Sequence, residues 1–202
     1  MLRRSILLGG LALLSAASPS LAQETLRLRG TIESVSEPGN FIVKSREGET
    51  VKVVMTEKPI YTAMVKASLA DIKPGQFVGA TALPDSSGTL KAVEVHIFPE
   101  AMRGTGEGHR PWDLKPESTM TNASVEQSVT SVDGRTLTLK YKGGEKKIVV
   151  TPETVVVTYD MGNAAELKPG VGIFISAGKK MADGSISTPR ITYGRNGLIP
   201  PM

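Results

Sequence analysis

Apolar and polar residues alternate at several places in the chain, and each alternating run predicts a β-strand. Val93, Val95 and Ile97 fall on one face of an extended chain. Glu94 and His96 fall on the opposite face. Together with the turn residues that separate such runs, the pattern predicts five strands in the first half, at 26–36, 40–46, 50–56, 76–83 and 89–98.

The last alternating run of the chain has the same design. Pro189, Ile191 and Tyr193 are predicted to point inward, and Arg190 and Thr192 to point outward. Because proline cannot donate a ladder hydrogen bond, Pro189 predicts that this strand lies at an open edge of its sheet.

The two halves of the chain are copies of one module. Residues 53–78 align without a gap with residues 148–173, which lie 95 positions downstream. In each copy an N-cap residue, Ser68 or Asn163, stands three positions before an acid, and Lys-Pro-Gly follows. Capping-box spacing followed by proline and glycine predicts one short helical turn between the third and fourth strands of each copy.

This pattern predicts an all-β protein of two tandem five-stranded OB-like small barrels, each with one short helical turn, joined by an ordered Gly-rich loop. Aromatic residues make up 4% of the chain, so small cores of Val, Ile and Leu are expected, with ligands outside or between the modules. The predicted segments are a signal peptide at 1–22, modules at 23–98 and 122–197, a connecting loop at 99–121 and a tail at 198–202.

The N-terminus predicts export. Arg3 and Arg4 precede a short apolar run, and Ser20-Leu21-Ala22 supplies small residues for cleavage after Ala22. The same start fits either the general secretory route or the twin-arginine route. No later run approaches the roughly 20 apolar residues of a membrane span. We therefore expect a periplasmic or secreted protein that is not an integral membrane protein once mature.

Composition removes several function classes. The chain has no cysteine, which excludes disulfides, thiolate metal sites, cysteine nucleophiles and a lipidated cysteine. Without Arg3 and Arg4 the basic residues number 22 against 20 acidic ones, so no basic field favours nucleic acid as a partner. No recognisable arrangement of catalytic residues stands out, and a non-enzymatic protein is expected.

The connecting loop and its approach hold a candidate metal site. His96, Met102 and His109 offer imidazole and thioether groups, a mixture that suits copper, while the two imidazoles alone suit zinc. Apart from such a metal, no cofactor is expected.

Two other interpretations of the loop stay open. Backbone amides of 104–108 between Arg103 and Arg110 form a candidate anion cradle, although Glu107 would repel an anion. Alternatively, the aromatic and charged residues of this segment form an interface, either with a partner or with the protein's own modules. The candidate partner-binding residues are Arg103, Arg110, Trp112 and Asp113.

The function predicted from the residues is a periplasmic binding or scaffolding protein for an envelope protein or polymer. The alternatives are a copper- or zinc-binding accessory protein and an oligosaccharide-binding module. OB barrels also bind sugars, and the aromatic candidates for stacking on a sugar are Tyr61, Trp112 and Tyr193.

Two segments carry a resemblance to known sequences. Leu69–Val78, followed by Leu90–Val95, resembles a bacterial family of exported OB-like domains of unknown function, which implies the same fold and compartment. Val95–Asp113 is similar to a segment of hypothetical exported proteins of Gram-negative bacteria, some of which are named metal transporter permeases. The expected lack of a membrane span in the mature chain argues against a permease here, and the resemblance implies no residue roles.

Overall fold

The structure is a computed structural model that describes residues 25–131 and 134–202; the predicted signal peptide lies outside the described residues. Over these ranges the protein is all-β, as predicted, with short 3-10 turns at Leu69–Asp71, Glu100–Met102 and Ala164–Glu166. The strands are β1 (Leu26–Glu37), β2 (Asn40–Ser45), β3 (Thr50–Lys66), β4 (Phe77–Pro84), β5 (Leu90–Ile97), β6 (Gly108–Pro111), β7 (Thr119–Ser131), β8 (Gly134–Tyr141), β9 (Gly144–Val150), β10 (Val155–Met161), β11 (Gly172–Lys180) and β12 (Ile186–Gly194).

The helical turns fall where the repeat predicts them, between the third and fourth strands of each copy. The Asp71 carboxylate accepts hydrogen bonds from the Ser68 backbone N–H at 2.8 Å and from its hydroxyl at 2.7 Å. In the second copy the Asn163 side-chain amide donates to the Glu166 carboxylate at 2.7 Å. The same cap–acid spacing therefore closes a short turn in both copies, although the chemistry of the contact differs.

Five strands form a closed barrel, hereafter the closed barrel, in the order β12-β11-β1-β2-β3 and back to β12. β12 runs parallel to β3, and β11 runs antiparallel to β1. Its core holds apolar side chains from both repeats, including Ile32, Phe41, Val43, Ile173, Ile175, Ile191 and Tyr193. Three of its strands thus come from the first repeat and two from the second.

Five further strands, β4, β5, β7, β8 and β9, are hereafter called the second sheet, and β10 joins them to the closed barrel by pairing with both β5 and β3. β4 pairs antiparallel with β7, and β8 lies between β7 and β9. β5 meets β9 in parallel over two residue pairs, Leu90 with Ile148 and Lys91 with Val149. Strands β4 and β5 of the first repeat therefore pair with strands of the second repeat. Two tandem barrels, each made from one copy, are not what the chain forms.

The length of β3 accounts for this exchange of strands. The sequence predicts a third strand at 50–56, but β3 continues to Lys66. Ten further extended residues span about 33 Å, so the end of β3 pairs with β10 of the second repeat before β4 begins, while β12 still pairs with β3 as far as Met64. The equivalent stretch of the second repeat is split into β9 and β10, and Pro152 lies in the break. Proline interrupts a ladder because it has no N–H to donate.

A local twofold symmetry relates the repeats where β3 and β10 pair. These strands run antiparallel, and Met64 lies opposite Tyr159. These residues are 95 positions apart, so each is the other's repeat counterpart. Pairing of a strand with its own copy is the isologous arrangement of a symmetric dimer, here within one chain. No helix in the described residues is long and apolar enough to cross a membrane.

The predicted inward and outward faces of β5 and β12 are confirmed for the residues that follow one irregularity in each strand. Ile191 and Tyr193 point into the closed barrel, and Val95 and Ile97 into the core of the second sheet. Val93 and Pro189 are skipped in the pairing registers, which marks a bulge at equivalent positions of the two repeats. The prediction that β12 is an edge strand is wrong, because β12 pairs with both β11 and β3. The bulge is what accommodates Pro189.

The exchange predicts how one repeat behaves alone. A fragment of residues 25–98 contains β1–β5 but lacks β7–β9, with which its β4 and β5 pair. We expect two copies to exchange these strands and form a folded dimer. Sedimentation equilibrium and circular dichroism would check this, with the full-length chain as the folded reference. A folded monomer would contradict the expectation, because it would mean that β4 and β5 close the fragment's own barrel.

Candidate functional site

A cavity of about 390 Å³, hereafter the central cavity, lies between the closed barrel and the second sheet. Its walls come from the outer face of the barrel, the outer face of the second sheet, β10, the connecting loop and the C-terminal tail. The lining residues that carry the discussion below are His96, Phe98, Met102, Arg110, Trp112, Met120, Asn122, Tyr159, Phe174, Ser176, Arg190, Thr192 and Met202.

Strand register places the polar residues of the cavity wall. Gly79 lies between His96 of β5 and Asn122 of β7, so these three positions share one face of the sheet. The next row contains Val95 and Ala80, which face the apolar core. A Cβ on residue 79 would lie 1.9 Å from His96 Nε2 and 2.7 Å from Asn122 Oδ1. Glycine is therefore needed for the imidazole to lie across the strand towards Asn122.

Glu94 and His96 form a buried acid–imidazole pair beside the cavity. Glu94 is 0% exposed and His96 is 2% exposed. Both Glu94 carboxylate oxygens lie 3.2 Å from His96 Nδ1, and one accepts a hydrogen bond from the Thr81 hydroxyl at 2.7 Å. With a carboxylate as acceptor, Nδ1 carries the proton, and in the neutral ring Nε2 presents its lone pair.

Aromatic rings fix the position of the imidazole. The ring centroid of His96 lies 4.7 Å from that of Phe98 and 5.8 Å from that of Tyr159, both in edge-to-face geometry. The Tyr159 hydroxyl donates to the Met202 sulfur at 3.4 Å. Burial first, and then the charge of Glu94, raise the pKa of Tyr159, so this phenol stays protonated at physiological pH.

The residues of the predicted metal site are not brought together as a set. His96 and Met102 line the central cavity. His109 pairs with Thr121 in the row of Ala80 and Val95, so it points to the opposite face of the sheet from His96. Its Nδ1 lies 2.8 Å from the Thr121 hydroxyl. Over the described ranges, no three His, Asp or Glu side chains cluster in a way that could hold a metal ion.

Three of the predicted partner-binding residues lie at the cavity or beside it. Trp112 and Arg110 line it, and the Arg110 guanidinium carbon lies 5.5 Å from the Trp112 ring centroid. The Asp113 carboxylate accepts two hydrogen bonds from Arg29 of β1, at 2.8 and 3.2 Å. The loop is thereby tied to the closed barrel.

The fourth predicted partner-binding residue, Arg103, does not line the cavity. Its Nη2 donates to the Glu100 carboxylate at 2.7 Å and to the Gly75 carbonyl at 2.9 Å.

The aromatic residues proposed for sugar stacking do not share a face. Tyr193 is 1% exposed in the barrel core, and Tyr61 packs against the same core.

Two buried polar atoms at the cavity have no hydrogen-bond partner among the described residues. They are the indole nitrogen of Trp112 and Oδ1 of Asn122. Asn122 is 5% exposed, and its amide nitrogen donates to the Thr105 carbonyl at 2.9 Å. An unpaired buried donor or acceptor costs about 1–3 kcal/mol. One donor and one acceptor on side chains that line the cavity are therefore left unsatisfied among the described residues.

Sequence reasoning missed several residues of this site, namely Asn122, Tyr159, Phe174, Arg190 and Met202 as cavity residues. Glu94 and His96 carried a signal, because two polar residues share one face of an otherwise apolar strand. Arg190 and Thr192 are the repeat counterparts of Glu94 and His96, as shown by their matched pairing with β3 and β10. Nothing in the local sequence indicates that Met202, which is 100 positions from Met102 and 106 from His96, reaches the same cavity.

Comparison with known families finds one match. The model of a domain of unknown function, DUF5666, matches residues 29–96. The matched segment runs from β1 to His96. It covers most of the first repeat and about a third of the chain. Neither the curated proteins nor the solved structures contain a match.

The close contact over Gly79 can be tested by substitution. We expect Gly79→Ala to lower the free energy of unfolding by about 1–3 kcal/mol, because the added methyl overlaps the His96 ring. Urea denaturation would measure this.

A double-mutant cycle with His96→Ala supplies the control. In the His96→Ala background the two closest contacts of the methyl are gone and, of its three nearest atoms, only Asn122 Oδ1 remains, so the cost of Gly79→Ala should shrink substantially. An equal cost in both backgrounds would show that the ring does not lie over residue 79.

Proposed function

We propose that the protein is an exported, non-enzymatic binding protein that takes a small ligand into the central cavity. The single observation that carries this is the unpaired donor and acceptor, Trp112 Nε1 and Asn122 Oδ1, in an otherwise largely apolar wall. Such a wall, with a few convergent polar groups, is typical of small-molecule sites. The N-terminal pattern of residues 1–22 supports export to the periplasm.

The dimensions and lining suit a compact organic molecule. A volume of about 390 Å³ is near the lower end of ligand pockets, which run from about 300 to 1,000 Å³. Phe98 and Phe174 supply flat apolar surface, and Met102, Met120 and Met202 supply side chains that adapt their shape. A long polymer would exceed this space, so we favour a small ligand over an envelope polymer.

Binding is favoured over catalysis by the surroundings of His96. Its hydrogen bonds among the described residues are to Glu94 alone, so no serine or threonine hydroxyl is in contact with it as an activated nucleophile.

A cavity-filling substitution tests the proposal. Ser176 is an exposed residue of β11 that lines the central cavity, so Ser176→Phe should occupy the cavity with little effect on folding. We expect this change to weaken binding of the neutral fluorescent probe N-phenyl-1-naphthylamine at least about tenfold, roughly 1.4 kcal/mol. Fluorescence titration measures it.

Ala177→Phe is the matched control, because Ala177 is also an exposed residue of β11 but lines a separate surface depression and not the central cavity. It should leave probe binding unchanged. Equal loss in both variants, or no binding to the unsubstituted protein, would argue against a ligand site in the cavity.

A soft metal ion is the second candidate ligand. The observation that favours it is His96, whose Nδ1 is held by the Glu94 carboxylate, as is usual for metal-binding histidines. Three methionines, Met102, Met120 and Met202, line the same cavity. Imidazole and thioether together suit Cu(I). His109 is not included, because it faces away from the cavity.

Titration with Cu(I) under anaerobic conditions separates this candidate. Binding of one ion per chain, lost in His96→Ala and weakened in Met120→Leu, would support it. His109→Ala is the control and should leave binding unchanged. If His96→Ala bound Cu(I) as well as the unsubstituted protein, the metal would not use this cavity.

A further inference from the structure

Positive charge collects around Trp112 at the central cavity. The guanidinium carbons of Arg27, Arg110 and Arg29 lie 4.2, 5.5 and 5.8 Å from the indole ring centroid. Arg190, on β12, lines the same cavity. Two cationic side chains, Arg110 and Arg190, therefore line a cavity whose wall is otherwise mostly apolar, and two more lie near the indole that forms part of this wall.

The carboxylates nearby are already engaged. Asp113 accepts two hydrogen bonds from Arg29 and lies 3.6 Å from an Arg27 nitrogen. Glu94 is fully buried behind His96 and accepts from His96 and Thr81. Arg29 also donates to the Met202 carbonyl. These contacts balance Arg29, and in part Arg27, but within the described residues they leave Arg110 and Arg190 without an acidic partner.

Arg110 is half-buried and its charge is not neutralised. Its Nη1 donates to the Gly106 carbonyl at 2.7 Å, and it forms no ion pair with the described residues. Burial, followed by the charge of Arg27, lowers the pKa of Arg110. Two like charges held against one indole repel each other, so an anion placed between them would be stabilised.

Arg190 is the second unbalanced cation. Its guanidinium makes no hydrogen bond and no ion pair with the described residues. Burial raises the pKa of Tyr159, and the positive charge of Arg190 offsets part of this rise. The repeat explains its position, because Arg190 occupies on β12 the place that Glu94 occupies on β5. Equivalent positions of the two repeats thus hold an acidic residue in the first copy and a basic residue in the second.

We propose that the central cavity binds a small amphipathic organic anion. Its acidic head group lies against Arg110, Arg190 and the indole N–H of Trp112, and its apolar body lies against Phe98 and Phe174. This inference rests on the proposed function and specifies the chemistry of the ligand. Arginine suits an oxyanion because its planar N–H groups donate to it in pairs.

A matched pair of probes tests the head-group assignment. 1-Anilinonaphthalene-8-sulfonate carries a sulfonate, whereas N-phenyl-1-naphthylamine has the same rings without the charge. We expect Arg190→Gln and Arg110→Gln each to weaken binding of the sulfonate roughly tenfold and to weaken binding of the neutral probe much less. Lys179→Gln, which removes one charge from the exposed surface of β11 outside the cavity, should affect neither probe.

The outcomes separate this inference from the proposed function. If the arginine variants bound the sulfonate as tightly as the unsubstituted protein, the anion assignment would be overturned. Binding of the neutral probe that is weakened by Ser176→Phe would still support a ligand site in the cavity. Equal weakening of both probes in the arginine variants would also overturn it, because the arginines would then shape the cavity rather than recognise charge. No binding of either probe to the unsubstituted protein would overturn both proposals.

Discussion

The pairing of β3 with three different strands holds the molecule together. Its first half pairs with β2 inside the closed barrel, its second half pairs with β10, and β12 runs parallel to it along most of its length. Because one strand takes part in both halves, the chain cannot fold each repeat as a separate unit. The apolar cores are consequently assembled from both repeats, and neither repeat can bury its strands without the other.

The central cavity is a consequence of that exchange. In an isolated barrel, outward-facing residues such as Thr62, Thr192 and His96 would meet water. Here the outer faces of the closed barrel and the second sheet are held side by side by β3 and β10, and the connecting loop covers them through Trp112. These three polar residues are therefore buried although they do not belong to a barrel core. Polar groups buried in this way need partners, and in our proposal a ligand supplies the partner that Trp112 Nε1 and Asn122 Oδ1 lack.

Divergence between the two copies produced the chemical asymmetry of this cavity. Glu94 and His96 in the first copy correspond to Arg190 and Thr192 in the second, and Met64 corresponds to Tyr159. A perfectly symmetric cavity would place like charges on both sides. Instead, the acid is enclosed by His96 and Thr81 on one side, while Arg190 on the other side has no acidic partner among the described residues. The repeat provides the frame, and a few substitutions within it decide what the frame can bind.

Local sequence signals predict the strand pattern, the duplication, the turns at Leu69–Asp71 and Ala164–Glu166, and most of the inward and outward faces of β5 and β12. These features depend on local period, capping and turn chemistry, which are readable over a few residues. The repeat to which each strand pairs is evident from the folded chain alone, because a strand's hydrogen bonds and apolar face fit its own copy and the other copy almost equally well. Strand pairing also separates the two histidines. His109 lies one position along the sheet from the row of His96, so its side chain points to the opposite face. Met202 and Arg190 could not be assigned to the site, since their proximity to His96 arises from strand exchange and not from any local pattern.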